Sequence, residues 1–343
     1  MWAPTRPKTG KILFPRPRIT SLAPANRPRR RVVVYRNNRI AVVVPAHNEE
    51  RLIARVIQTT PELVDHILVI DDASSDNTAE NAAAVGDVRV EVHRLDQNQG
   101  VGGAILAGHR RALELGADIS VVMAGDAQMD PAFLPALLDP IVDGAAGFTK
   151  ANRFYDATSF EGMPRHRIVG NIALSFLTKA ASGYWNLFDP QNGYTAIHRT
   201  ALERLPLDRI ARRYEFENDL LINLNILRVR ARDVPIPAVY GDEVSGMRLH
   251  KVAPRLLRAL FRGFWHRIWW KYVLQSFSAV ALLLFAGIGC VLFGLAVGVF
   301  VIINTLGEPV ASPGTVLLAV APILTGLHFL ISALMLDIQE GNQ

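Results

Sequence analysis

The chain has 343 residues, half of them hydrophobic, a formal net charge of +6 and one cysteine. That length allows one large domain or two ordinary ones. The lone Cys290 excludes an internal disulfide, which suits a reducing compartment.

Residues 1–38 are rich in Pro and Arg and lack the apolar core of a signal peptide; they read as a flexible basic arm. "RIAVVVPAHNEE" is a β-rich run ending at Pro45 in a polar turn, with helical material through Gln58 and a stop at Pro61. "HILVIDDASSDNT" repeats the design as strand, acidic turn and helix start. "VRVEVHRL" is a third strand, "GVGGAILAGHRRALELG" a helix stopping at Gly116, and "DISVVMAGD" a fourth strand. "PAFLPALLDPI" is helical, with Pro131 in its first turn. "GFTKANRF" and "NGYTAIHR" read as strands. "PRHRIVGNIALSFLTKAASG" and "FENDLLINLNIL" read as helices, the first closing at Gly183. This alternation predicts an α/β fold with a mostly parallel sheet covered on both faces.

The C-terminal third differs in kind. Residues 246–271 mix Arg and Lys with Leu, Phe and Trp, as in an amphipathic juxtamembrane helix with tryptophans at headgroup depth and cations toward lipid phosphate. Residues 273–303 and 310–336 hold no charged side chain. Each run exceeds the ~20 apolar residues that cross a bilayer as a helix. They predict a two-helix transmembrane hairpin over 272–338. The basic clusters on the arm and before the first span place the domain over 39–245 and both termini on the cytoplasmic side. No nucleic-acid-binding motif accompanies those clusters, so a membrane and not nucleic acid is the expected partner. Homo-oligomerisation is left open.

Ligands of parallel α/β sheets bind at the carboxyl ends of the strands. Three polar turns fall there: Pro45 to Glu49, Asp71 and Asp72, and Asp126 to Gln128. Carboxylates gathered at one edge repel each other and any anionic ligand unless a cation sits among them. A hard divalent ion resolves this, since Mg²⁺ takes one or two protein carboxylates and completes its shell with phosphate oxygens and water. Asp126 and the Gln128 amide oxygen are the candidate ligands; the spacing of Asp130 argues against it. The glycines of "GVGGAILAG" fail as a dinucleotide motif, because Ile105 stands at the third glycine position and "DQNQ" separates them from the strand. A tight helix entry is the better reading.

The set "VVVPAHNEE", "VIDDASSDNT", "NQGVGGAILAG", "GDAQMDP" and "DPQNGYTAIHR", in that order, resembles the inverting nucleotide-sugar glycosyltransferases of family 2. Within them it is similar to the polyprenyl-phosphate, dolichyl-phosphate mannosyltransferase-like group. The likeness covers residues 40 to about 240. It implies an A-type glycosyltransferase fold, a GDP- or UDP-sugar donor, a polyprenyl or dolichyl phosphate acceptor, and Mg²⁺ or Mn²⁺. By position it assigns Pro45, His47, Glu49, Ile70, Asp72, Gly125, Asp126 and Gln191 to the nucleotide sugar, and Asp126 and Gln128 to the metal. The usual Asp-x-Asp-x-Gln becomes Ala124-Gly125-Asp126-Ala127-Gln128, so the first aspartate is missing.

The resemblance assigns Arg153, Arg167 and Asn171 to the acceptor phosphate, the latter two four positions apart on one helix face. Arginine grips phosphate in a two-pronged way. Asp126, Arg153, Arg167 and Asp219 are the expected catalytic set. Asp219 stands where relatives with hydroxyl acceptors keep a base, and here it would orient the donor sugar. Asp189 shapes the sugar pocket or only its loop. Arg212, Arg213 and Arg232 read as surface residues within reach of donor phosphates. The rival readings are a polysaccharide-extending transferase, whose Gln-x-x-Arg-Trp motif is absent here, and a non-catalytic membrane scaffold that binds a nucleotide sugar.

Overall fold

Runs of β-branched residues set the centre of the molecule. The computed structural model describes residues 19–21, 35–155, 165–237, 249–305 and 311–341; only the backbone is described for 19–21, 165–169, 171 and 249–253. Strand β1 is Ile19–Ser21, β2 is Ile40–Ala46, β3 is His66–Asp71, β4 is Val90–Leu95 and β5 is Ile119–Val122. Strand β6 is Phe148–Asn152, β7 is Thr195–His198 and β8 is Ala231–Pro235. They form one eight-stranded sheet in the order β1-β4-β3-β2-β5-β7-β6-β8. Strands β2 to β5 run parallel, and β6 is parallel to β8. Strand β7 is antiparallel to both neighbours, and β1 is antiparallel to β4.

The mostly parallel sheet was expected; β1 and β8 were not. Strand β1 lies within the stretch read as a flexible arm, and backbone pairing with β4 accounts for its order. Most of that arm lies outside the described residues.

The sheet is covered on both faces. Helices α1 (Ile53–Thr59), α2 (Thr78–Ala84) and α4 (Leu134–Val142) pack on one side; α3 (Val101–Glu114), α6 (Arg199–Arg204) and α7 (Phe216–Ile226) pack on the other. Strand β2 shows why its sequence is continuously apolar. Ile40, Val42 and Val44 face the first set with Ile53, Val56 and Leu138, while Ala41 and Val43 face Ala104 and Ala107 of α3. Side chains alternate across a strand, so a strand buried on both faces has no polar position to spare. Helix α3 lies directly on β2 because Gly108 has no Cβ, which would otherwise overlap the Val43 side chain.

The remaining helices are α5 (Arg165–Ser182), α8 (Leu249–Arg267), α9 (Ala279–Thr305) and α10 (Pro313–Gly341), with a π-helical segment at Ile268–Leu274. Helix α5 packs on α7 and α8. Helices α9 and α10 form a hairpin, and each is long and apolar enough to cross a membrane. Only 22% and 17% of their apolar windows are buried within the molecule, unlike core helices of a globular domain.

Candidate active site

Chain order along the sheet places the site. From β2 the chain moves outward through β3 and β4, then returns to the other side of β2 with β5. The connections therefore diverge at the carboxyl ends of β2 and β5, a topological switch point. A cavity of about 390 Å³ opens there. Pro45, His47 and Glu49 from the end of β2 line it, with Asp72 from the end of β3. Gly125 and Asp126 after β5 face them across the same space. The edges are joined by backbone: Gly125 N donates to Pro45 O at 3.1 Å and Asp72 N to Ala46 O at 2.8 Å. A Cβ on Gly125 would lie 3.2 Å from the Ala46 Cβ and 3.3 Å from Pro45 O, so this crossing favours glycine.

Asp72 is buried and does two things. Its Oδ1 accepts from Gln99 N at 2.7 Å and its Oδ2 from Gly100 N at 2.8 Å. These are amides of the tight turn entering α3, where Gly100 adopts φ +84°. The carboxylate thus pins the N-terminus of α3 against the cavity wall, favoured by the positive end of the helix dipole. The turn after β2 is pinned the same way. Asn48 N donates to Ser74 Oγ at 3.0 Å, Glu49 N to Thr78 Oγ1 at 2.8 Å, and Asn48 Oδ1 accepts from Ser75 N at 2.8 Å. The His47 ring nitrogen Nδ1 lies 3.0 Å from Asp72 O. The wall also includes Ala46, Asn98, Val101 and Ala104, together with Arg213, read from the sequence as a surface residue within reach of the donor phosphates, and the exposed Tyr214, which was not predicted. Arg212, next to them, donates to Gln99 Oε1 at 2.9 Å.

Other expected residues lie elsewhere. Ile70 is buried beneath the cavity in the core shared with Ala104, opposite Pro45 in register. Gln128 is exposed and outside the lining; Asp126 Oδ1 accepts its backbone N–H at 3.1 Å across a turn in which Ala127 has φ +58°. Asp130 Oδ1 accepts from Ala132 N at 2.8 Å and so caps the turn before α4. Arg232 is exposed on β8.

A hard divalent ion fits this rim in part. Asp126, Glu49 and Asp72 bring three carboxylates to one cavity, against the single guanidinium of Arg213 among the lining residues. Among the described residues no group of three His, Cys, Asp or Glu side chains forms a self-sufficient cage. Such a set suits an ion that takes most of its oxygens from a bound diphosphate and water.

A second group of the expected site residues lies beyond β7. Arg153, at the end of β6, donates through Nε to Asp189 Oδ2 at 2.7 Å and through a terminal nitrogen to Oδ1 at 3.1 Å. Asp189 is 1% exposed, so the fork fixes the guanidinium plane on a buried carboxylate. Asp189 therefore engages arginine, where a sugar contact or a loop role was expected. Gln191 donates to Asn218 Oδ1 at 3.2 Å, at the start of α7. Asp219 accepts from Ala211 N at 2.8 Å, and burial raises its pKa above the usual carboxylate range. Arg262 and His266 of α8 act on it electrostatically and oppose that rise. Arg167 and Asn171 lie on α5, their side chains outside the described residues.

Two further groups escaped the sequence reading. Lys150 is buried in β6, its Nζ donating to Asn192 O, and burial lowers its pKa against the opposing pull of Glu217 and Asp189. Burial likewise raises the pKa of Glu217, which shares a small closed cavity with Lys150, Gly193 and Thr195. The signal for Lys150 was present: a lysine midway through "FTKAN", a strand otherwise buried end to end.

Comparison with known proteins agrees with this geometry. The model for "Glycosyl transferase family 2" matches residues 41–206. The chain is 32% identical over 218 residues to the UDP-N-acetylglucosamine–dolichyl-phosphate N-acetylglucosaminyltransferase of Methanococcus voltae, covering 59% of this chain and 86% of that protein. It is 32% identical over 208 residues to the undecaprenyl-phosphate mannosyltransferase of Micrococcus luteus, covering 59% and 84%. Among solved structures, glucosyl-3-phosphoglycerate synthase from Mycobacterium tuberculosis, in complex with Mn²⁺, UDP and glucosyl-3-phosphoglycerate, shares the fold. Its TM-score is 0.50 at 24% identity, over 67% of this chain and 80% of that one. With its carboxylate rim at the switch point of an A-type sheet and a relative matched over most of its length, the chain belongs to glycosyl transferase family 2.

Proposed function

We propose that this glycosyltransferase moves a sugar from a GDP- or UDP-sugar to a polyprenyl or dolichyl phosphate, with inversion and with help from Mg²⁺ or Mn²⁺. The observation that carries the reading is the single cavity shared by Pro45, His47, Glu49, Asp72 and Asp126. The acceptor class is supported by the names of two relatives of which this chain covers more than four fifths. In the same reading α9 and α10 cross the membrane and the catalytic domain over 39–245 lies on its cytoplasmic face. Exposed Arg255, Arg258 and Arg262 of α8 support that orientation.

Pro45, His47, Glu49 and Asp72 receive the nucleoside, and Gly125 allows the diphosphate to approach the backbone. Asp126 would hold the metal, with Gln128, exposed on the same turn, as second ligand, and the ion would supply positive charge to the departing diphosphate. In this reading Arg153, oriented by Asp189, holds the attacking phosphate together with Arg167 and Asn171 of α5. A phosphate monoester is largely dianionic near neutral pH, its second pKa being ~6. It attacks as it stands, and no protein base is needed. A phosphate oxygen forms the new bond to the anomeric carbon while the old bond to the diphosphate breaks, its electron pair leaving with the diphosphate. The protein contributes alignment and charge stabilisation.

The test mixes the full-length protein in bilayers with labelled GDP- and UDP-sugars, a divalent cation and polyprenyl phosphate. A single glycosylated lipid phosphate with inverted anomeric configuration is expected. A growing polymer would favour the polysaccharide-extending alternative, and no product with any donor would favour a binding scaffold.

A further inference from the structure

A polar cluster where the membrane hairpin meets the catalytic domain has no part in the chemistry above. Arg267, the last residue of α8, is fully buried. Its terminal nitrogens donate to both oxygens of Asp337 at 2.6 and 3.0 Å. Asp337 also accepts from the Tyr272 hydroxyl at 2.6 Å and from Trp185 Nε1 at 3.1 Å. The same guanidinium donates through Nε to Ala181 O at 2.9 Å and through a terminal nitrogen to Ala180 O at 3.0 Å. These are end carbonyls of α5, so Arg267 caps its C-terminus. Gly183, at φ +76°, makes room, since a Cβ there would lie 2.5 Å from the Arg267 guanidinium. Lys271 adds a parallel link, donating to Asn225 of α7 at 2.9 Å.

Arg267 and Lys271 thus turn inward, while Arg255, Arg258 and Arg262 of the same segment stay exposed, as do Trp269 and Trp270. Asp337 lies about 36 Å along α10 from Pro313, beyond the ~30 Å of a hydrocarbon core. The cluster therefore sits at the domain end of the hairpin. It joins three elements far apart in sequence: α10, the end of α8, and the end of α5.

We propose that Arg267 and Asp337, with Tyr272 and Trp185, form a positioning clamp that fixes α5 to the membrane hairpin, holding the acceptor-binding helix at a set height above the bilayer. The proposal rests on the lipid-acceptor reading for its benefit to catalysis, but the mechanical coupling stands on the contacts alone. A buried, multiply bonded ion pair makes poor glue but strict geometry, because each partner alone would be an uncompensated charge.

The experiment uses full-length protein in nanodiscs with Cys290→Ser, and spin labels at Glu62→Cys in the domain and Leu317→Cys in the hairpin. The clamp predicts one narrow distance distribution, broadened by Asp337→Asn. Should Asp337→Asn fail to fold, Trp185→Phe, which removes one hydrogen bond, is expected to broaden it less. Distributions unchanged in the folded variants overturn the clamp. In kinetics, Trp185→Phe and Tyr272→Phe should raise KM for bilayer-borne polyprenyl phosphate by up to about tenfold. KM for a water-soluble short-chain prenyl phosphate and for the donor should hold. An equal rise for both acceptors would mark a merely structural role and overturn the positioning claim. If the unvaried protein glycosylates neither acceptor, the lipid-acceptor reading fails while the distance measurement still decides the clamp.

Discussion

The proposed donor half and the proposed acceptor half of this enzyme are held largely by different kinds of bond. Around β2, β3 and α3, short polar side chains grip backbone amides of neighbouring turns: Asp72 on Gln99 and Gly100, Ser74 on Asn48, Thr78 on Glu49. Around β6, α5 and α8, charged side chains grip one another across long stretches of chain, as in Arg153 with Asp189 and Arg267 with Asp337. Backbone-anchored turns give a pocket shaped before any ligand arrives. Ion pairs with a buried partner fix orientation, for Arg153 at the proposed phosphate site and for Arg267 at the apolar hairpin, and they depend on both partners being present.

That contrast can be broken by substitution. The largest effect is expected for Asp126→Asn, which removes the carboxylate facing the donor diphosphate. Turnover should fall by two to three orders of magnitude on the order expected for losing charge stabilisation of a leaving group, read by initial rates at saturating donor. Folding should be unchanged, since Asp126 bonds only its own turn among the described contacts.

The donor half should also carry an acid sensitivity of its own. His109 of α3 is buried against Ser120 of β5, with its pKa lowered to about 4 by burial and, less, by Arg110. The folded state therefore resists a proton that the unfolded chain takes up near its ordinary value of 6.5. The stability present above pH 6.5 is lost as pH falls toward 4, on the order of 3 kcal/mol in all. Chemical denaturation of the wild type and of His109→Gln at pH 7 and pH 5 checks this; the pH dependence should shrink in the variant.

In the acceptor half, Asp189→Asn should leave Arg153 without its two-pronged partner. We expect about a tenfold to hundredfold loss in kcat/KM for the acceptor with donor affinity kept, measured by varying each substrate in turn. Equal losses for both substrates would erase the division into halves. The smallest effect is expected for Asp219→Asn. Its carboxylate holds Ala211 N and faces α8, so initial rates should stay within about threefold of the wild type, because an asparagine oxygen still accepts that bond.

The same contrast explains what could be read from the sequence. Strand ends such as "VVVPAHNEE" and "VIDDASSDNT" carry their own structure, because a buried strand must stop where polar residues begin. The cavity at Pro45, His47, Glu49, Asp72 and Asp126 was legible for that reason. The tight entry to α3 was legible from its glycines. The partners of Arg153, Arg267 and Lys271 were not, since nothing local to an arginine names a carboxylate dozens of residues away. Asp219 was placed by position in a motif; in the structure it accepts from Ala211 N and has Arg262 and His266 of α8 as electrostatic neighbours. Ile70 likewise stands in the right strand but behind the wall.

On the proposed reading, the carboxylate rim at the switch point takes a nucleotide diphosphate sugar together with a divalent cation. Calorimetric titration of the full-length protein with GDP- and UDP-sugars, with and without Mg²⁺ or Mn²⁺, tests it most directly. Binding of one donor class is expected, requiring the cation and disappearing in Asp126→Asn. Cation-independent binding of equal strength in both proteins would contradict it.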